Sequence, residues 1–256
     1  MFPLNTETPN TLYALDFDGV ICNSAIETAL TGWLAAQSLW SDLKGLSLNE
    51  EQIEQFTKIR PCLEFGYEAI LIVRLLHDNV SLDSSCQNFQ EAIQALIIGN
   101  NFDVEKLKTL FGETRDAQIQ QNESDWLASN PLFEGISGKL KTLKQEDWII
   151  VTTKQERFVD AILVANGIRL NKKRIFGLDR KMNKQTVLQK LLDNHPDRKI
   201  TFIEDRLPTL MAVQNNPKLK TVNLQLVDWG YNTELERKTA EENGIRVISI
   251  KSFLEN

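Results

Sequence analysis

Histidine occurs twice in 256 residues and cysteine three times, and these scarcities remove several chemistries at once. His77 lies in an apolar, helix-like run and His195 in a turn before Pro196, so neither has the company a zinc site needs. Cys22, Cys62 and Cys86 are odd in number and lack metal-ligand spacing, which points to reduced thiols in a cytoplasmic protein. No long apolar run escapes charge. Arg74 interrupts residues 69–76, and the first ten residues carry neither a basic nor an apolar segment, so neither a membrane span nor export is expected. Dinucleotide and serine-hydrolase signatures, G-x-G-x-x-G and G-x-S-x-G, are missing too. Basic residues number 29 against 35 acidic, and the net charge of −6 disfavours nucleic acid and anionic membranes as partners. With 42 % hydrophobic and 25 % charged residues, the chain has the composition of a globular protein, not a disordered or fibrous one.

What is present centres on Leu15-Asp16-Phe17-Asp18-Gly19-Val20. An apolar run, Leu12-Tyr13-Ala14-Leu15, precedes it and Gly19 ends it, the pattern of a buried strand running out into a loop. In an open α/β sheet the carboxyl ends of the strands face the ligand crevice, which places Asp16 and Asp18 there. Two anions about 4 Å apart repel by about 4 kcal/mol at an effective dielectric near 20, so the pair calls for a cation, a shared proton or a turn that parts them.

From residue 26 to 127 the apolar spacing is helical throughout. Residues 26–39 form one expected helix and 48–59 another, the second capped by Ser47 with Glu50 three residues on. Pro61 is expected to open a third, and residues 83–98 and 103–127 supply two more. Asn130-Pro131 breaks the pattern, after which strands alternate with helices. Strands are expected at 148–151, 175–177, 200–203, 222–227 and 247–250, with helices at 136–143, 156–165, 184–192, 207–213 and 234–242. Alternation of this kind implies parallel pairing through right-handed crossovers. The expected class is therefore α/β: a Rossmann-like doubly wound sheet from residues 1–21 and 132–256, with an all-α insert over 22–131.

Such a sheet collects the remaining polar groups at one edge. Thr152 and Thr153 follow the second expected strand, Glu204 and Asp205 follow the fourth, and Lys184 opens a helix after the third, with Lys181 as its rival. Carboxylates without nitrogen or sulfur company suit a hard ion such as Mg2+.

These residues resemble the haloacid dehalogenase-like superfamily of phosphohydrolases. Asp16-Phe17-Asp18-Gly19-Val20 is similar to its first motif, the strand ending in Thr152 or Thr153 to its second, Lys184 to its third, and Glu204-Asp205 to its fourth. The insert resembles the helical cap of the phosphoglycolate phosphatase and β-phosphoglucomutase branch, Asn130 to Gly135 its return hinge, and Trp229-Gly230-Tyr231 a feature of the same branch. The resemblance implies Asp16 as nucleophile, Asp18 as general acid and base, Thr152 and Lys184 as electrostatic partners, and Mg2+ on Asp16, the Asp18 backbone carbonyl, Glu204 and Asp205. It also puts Gly19, Thr153 and, from the cap, Arg60 against the substrate, a small phosphorylated metabolite. The acidic pair departs from the commoner pattern, since Thr209 stands where a further acid is usual. Phosphomutase activity and a non-catalytic binding role remain open at this point.

Overall fold

The structure is a computed structural model that describes residues 10–82, 86 and 88–255. The expectations for the first nine residues and for a helix start at Asp83 lie outside them. Two compact units divide the chain, Met1–Asn23 with Leu132–Asn256, and Ser24–Pro131.

The chain enters the first unit with β1 (Thr11–Leu15), in which Leu12, Ala14 and Leu15 are buried. It then forms the helical unit, α1 (Ala25–Leu39), α2 (Glu50–Ile59), α3 (Glu68–His77), α4 (Phe89–Gly99) and α5 (Val104–Ala128), the last interrupted by non-helical backbone at Asn122. Trp33, Phe56, Ile70, Phe89 and Phe111 share its core. A buried ion pair lies in the same unit: Glu27 accepts from Arg115 at 2.7 Å through both Nε and an η nitrogen, and from Trp126 Nε1 at 3.1 Å. Arg115 precedes Asn122 and Trp126 follows it, so Glu27 fastens both pieces of α5 to α1.

Three expectations need correction in this unit. Helix α2 starts at Glu50 because Asn49 and Gln52, not Ser47 and Glu50, exchange side-chain and backbone hydrogen bonds in the capping box. Pro61 sits in a 3-10 turn, Arg60–Cys62, and α3 begins seven residues later. The buried Glu68 carboxylate accepts from the amides of Glu64 and Phe65, which closes the turn ahead of the helix. Cys62 and Cys86 are joined as a disulfide with Cα atoms 5.3 Å apart, whereas Cys22 keeps a buried thiol. The expectation of three reduced thiols therefore fails, because the pairing depends on how the intervening chain folds back.

The chain returns through α6 (Ile136–Thr142), β2 (Trp148–Val151), α7 (Glu156–Ala165), β3 (Ile175–Phe176), α8 (Lys184–Asn194), β4 (Lys199–Glu204), α9 (Leu207–Gln214), β5 (Asn223–Val227), α10 (Glu234–Glu242), β6 (Arg246–Ile248) and α11 (Ile250–Glu255). The strands form one parallel sheet in the order β3-β2-β1-β4-β5-β6. Leu15 is level with Ile150 on one side and Ile203 on the other, which makes β1 a central strand flanked by β2 and β4. Leu12, Ala14, Val151, Phe202 and Leu226 pack with Leu188 of α8, Leu210 of α9 and Ala240 of α10. The last strand expected, 247–250, is shorter than its apolar run, since Ile250 already begins α11. Among the described residues no helix is long and apolar enough to cross a membrane.

Candidate active site

The reversal of strand order beside β1 leaves a crevice where the exits of β1 and β4 lie side by side. Asp16 follows β1 and donates its amide to the Ile203 carbonyl at 2.9 Å, so it stays in register with β4 although the strand has ended. Glu204 is the last residue of β4 and Asp205 the next. Carboxylate oxygens from Asp16, Glu204 and Asp205 lie within 4.8 Å of one another, and all three residues are buried. Lys184, first residue of α8, reaches them because Asn183 caps that helix by accepting from the Thr186 amide. Its Nζ stands 2.9 Å from Asp16 Oδ1 and 2.7 Å from Glu204 Oε2.

One ammonium against three buried carboxylates leaves the cluster short of positive charge. Burial, and then the Glu204 charge, pushes the Asp16 carboxyl up to about 7 despite Lys184. Burial, then Glu204 and Asp16, raises Asp205 well above the usual carboxylate range. Burial alone would lower the Lys184 ammonium, but Asp16 and Glu204 outweigh it and raise it. A second cation is what this donor set fits, and oxygen-only donors favour a hard divalent ion.

Asp205 is held from the loop after β5. Tyr231 donates its amide to Asp205 Oδ2 at 2.8 Å, and Asn232 Nδ2 donates to the Asp205 carbonyl at 2.8 Å. The same loop reaches the first motif, through Trp229 Nε1 to the Val20 carbonyl at 3.1 Å and Tyr231 Oη to Asn23 Oδ1 at 3.1 Å. Gly19 adopts φ +85° in the turn after Asp18, and a Cβ there would lie 1.9 Å from Asp205 Oδ2. Its glycine thus admits the carboxylate.

The sheet edge therefore gathers Asp16, Asp18, Gly19, Thr152, Lys184, Glu204 and Asp205. Thr152 is buried and its Oγ1 accepts from the Lys154 amide at 3.1 Å, whereas Thr153 is exposed. Lys181 is exposed with a left-handed backbone, so Lys184 is the lysine that meets the carboxylates. Arg60 lies in the helical unit, on the Arg60–Cys62 turn. Tyr231 belongs to the Trp229-Gly230-Tyr231 run noted in the sequence, but two other contributors were not legible there: Asn232, which supports Asp205 through its carbonyl, and Lys154, whose Nζ is 3.0 Å from Asp18 Oδ1. The run Thr152-Thr153-Lys154 held the second signal, but lysines are usually solvated.

No protein-family model matches the chain, and no curated protein matches it. Solved structures do. A predicted phosphatase from Clostridium acetobutylicum shares 17 % identity at a TM-score of 0.55, covering 97 % of this chain and 98 % of its own. A predicted phosphoglycolate phosphatase from Haemophilus somnus shares 16 % at 0.56, with 95 % of each chain covered. An HAD family hydrolase from Deinococcus radiodurans, solved with bound phosphate and sodium, shares 14 % at 0.51 over 96 % of this chain and 93 % of that one. At such identities the likeness concerns architecture, and it extends over both units: the chain has the fold of haloacid dehalogenase-like hydrolases.

Proposed function

We propose that the protein is a Mg2+-dependent phosphomonoester hydrolase that works through an aspartyl phosphate on Asp16. The observation that carries this reading is the buried cluster of Asp16, Glu204 and Asp205 with Lys184 among them, at the carboxyl edge of a doubly wound sheet. An Asp16 oxygen attacks phosphorus, the bond to the leaving oxygen breaks, and Asp18 supplies the proton that oxygen takes up. Asp18 then accepts a proton from the water that attacks the phospho-Asp16, releasing phosphate. Lys184 and the Thr152 hydroxyl stabilise the equatorial oxygens, where charge collects in phosphoryl transfer. Mg2+, held by Asp16, Glu204, Asp205 and the Asp18 carbonyl, would screen the phosphate dianion from the carboxylates.

The substrate class is a small phosphorylated metabolite. The unit of residues 1–23 and 132–256 is the catalytic core in this reading, and the helical unit chooses the substrate, with Arg60 the residue to examine first. Arg60→Ala should change the ranking of phosphoesters; uniform slowing of all would remove Arg60 from the account. Cytoplasmic residence is proposed with the hydrolase reading on the ground of a small-metabolite substrate alone, because the Cys62–Cys86 disulfide removes the reduced-thiol argument for it. A screen of phosphomonoesters with Mg2+, repeated after EDTA, tests the whole. Turnover that EDTA abolishes supports it, and a chain inert towards every ester in Mg2+ would be a binding protein instead.

A further inference from the structure

Consecutive residues of the loop after β5 hold Asp205 at two points: the Tyr231 amide reaches its Oδ2 and the Asn232 side chain its carbonyl, each at 2.8 Å. Asn232 Nδ2 also donates to the Val227 carbonyl at 2.8 Å. Glu204 and Leu226 are the last paired residues of β4 and β5, so Asn232 bridges the two strands one residue past the end of their ladder. A primary amide has two N–H donors and one carbonyl acceptor, and the two strand carbonyls take up the donors. The acceptor is engaged as well. Arg237 of α10 places one η nitrogen 2.9 Å from Asn232 Oδ1 and 3.3 Å from the Asn232 backbone carbonyl. A guanidinium only donates and the strand carbonyls only accept, so one orientation of the amide satisfies all its neighbours. Asn232 is 8 % exposed, and a turned amide would bury donor against donor and acceptor against acceptor.

We propose that Asn232, oriented by Arg237, is a positioning residue for Asp205 as a metal ligand. It holds the backbone from which the Asp205 carboxylate projects, and Arg237 acts only by fixing the Asn232 amide. This rests on the hydrolase reading above, in which Asp205 helps to hold Mg2+. The other faces of Asp205 leave little slack: a Cβ on Gly230 would lie 2.4 Å from Asp205 Cβ and 2.5 Å from the Gly19 carbonyl oxygen. Mg2+ demands near-ideal octahedral geometry, so a ligand whose backbone is free to shift binds it less well. Groups that orient a ligand without touching the ion typically govern about 10–100-fold of its affinity.

Calorimetric titration of Mg2+ into the metal-free protein reads the effect without turnover. Asn232→Leu, similar in volume but without donors, should raise the Mg2+ dissociation constant by about 10–100-fold. Arg237→Met should raise it by a smaller factor, and should add less than about 2-fold to Asn232→Leu, because it acts through that amide. Val159→Ala, which removes buried volume from α7, is the control: it should lower the melting temperature and leave the constant within about 2-fold. Should Asn232→Leu not fold, Arg237→Met decides: a raised constant supports the role and a wild-type constant overturns it. Wild-type affinity in a folded Asn232→Leu, or an equal rise in Val159→Ala, would also overturn it and leave the hydrolase reading standing. Wild-type protein that takes up no Mg2+ would overturn that reading and this one with it.

Discussion

Lys184 stands 2.9 Å from Asp16 and 2.7 Å from Glu204, so a single ammonium from α8 ties together the exits of β1 and β4. Removing it leaves buried carboxylates facing one another. Lys184→Met should lower turnover by about 10²–10³-fold, as loss of a preorganised donor does, and should lower the melting temperature of the metal-free protein. Steady-state rates and calorimetry read the two effects. A variant with wild-type rates would remove Lys184 from the chemistry.

Metal-free protein should lose stability as pH rises. The Asp16 carboxyl lies at about 7 in the folded chain against 3.8 as its ordinary value. Below about pH 4 both states are protonated and the contribution is fully present; as pH rises through 7 the fold must ionise a buried group and the contribution is lost. Asp205, also raised, acts with the same sign. In EDTA the melting temperature should be lower at pH 8 than at pH 5, with about 2–4 °C for each kcal/mol, and Asp16→Asn should flatten the slope. A melting temperature that climbs over this range in both proteins would contradict the account.

Gly19→Ala should damage the metal cluster from outside it. The added Cβ lies 1.9 Å from Asp205 Oδ2 on a backbone with φ +85°, so either the turn or Asp205 must shift. A cost of about 1–3 kcal/mol and weaker Mg2+ binding are expected, by thermal melts and isothermal titration. Unchanged Mg2+ affinity would show that Asp205 does not depend on this approach.

The Cys62–Cys86 bond closes a loop with a sequence separation of 24. Breaking it with Cys62→Ser and Cys86→Ser together should cost about 3 kcal/mol, chiefly by freeing the unfolded chain. Thiol titration of the denatured, unreduced protein should find the Cys22 thiol alone. Three titratable thiols would restore the reduced state that the cysteine count suggests.

Local signals made the sheet legible, and distance hid the rest. Trp148–Val151 is a four-residue apolar run, buried throughout, and Glu156–Ala165 ends at Asn166 before Gly167 with φ +68°, so both elements lie where periodicity puts them. Asp16, Glu204 and Asp205 could be listed together because strand exits of a parallel sheet share an edge. Lys154 could not, since Asp18 is 136 residues away and a lysine near a helix start is ordinarily solvated. Pro61 misled for a related reason. A proline in a first turn permits a helix without requiring one, and here the buried Glu68 carboxylate stabilises a turn instead. The disulfide was hidden in the same way, because an odd cysteine count says nothing about which two thiols meet.

The central claim is that an oxygen of Asp16 takes up the phosphoryl group. The direct measurement is an acid-quench experiment: protein with Mg2+ and a radiolabelled phosphomonoester that it turns over, digested and mapped by mass spectrometry. The account predicts a hydroxylamine-sensitive label on the peptide that contains Asp16, and none in Asp16→Asn, which should melt as a folded protein while losing turnover by orders of magnitude. A label on another residue, or an Asp16→Asn protein that still hydrolyses the ester at a comparable rate, would contradict it.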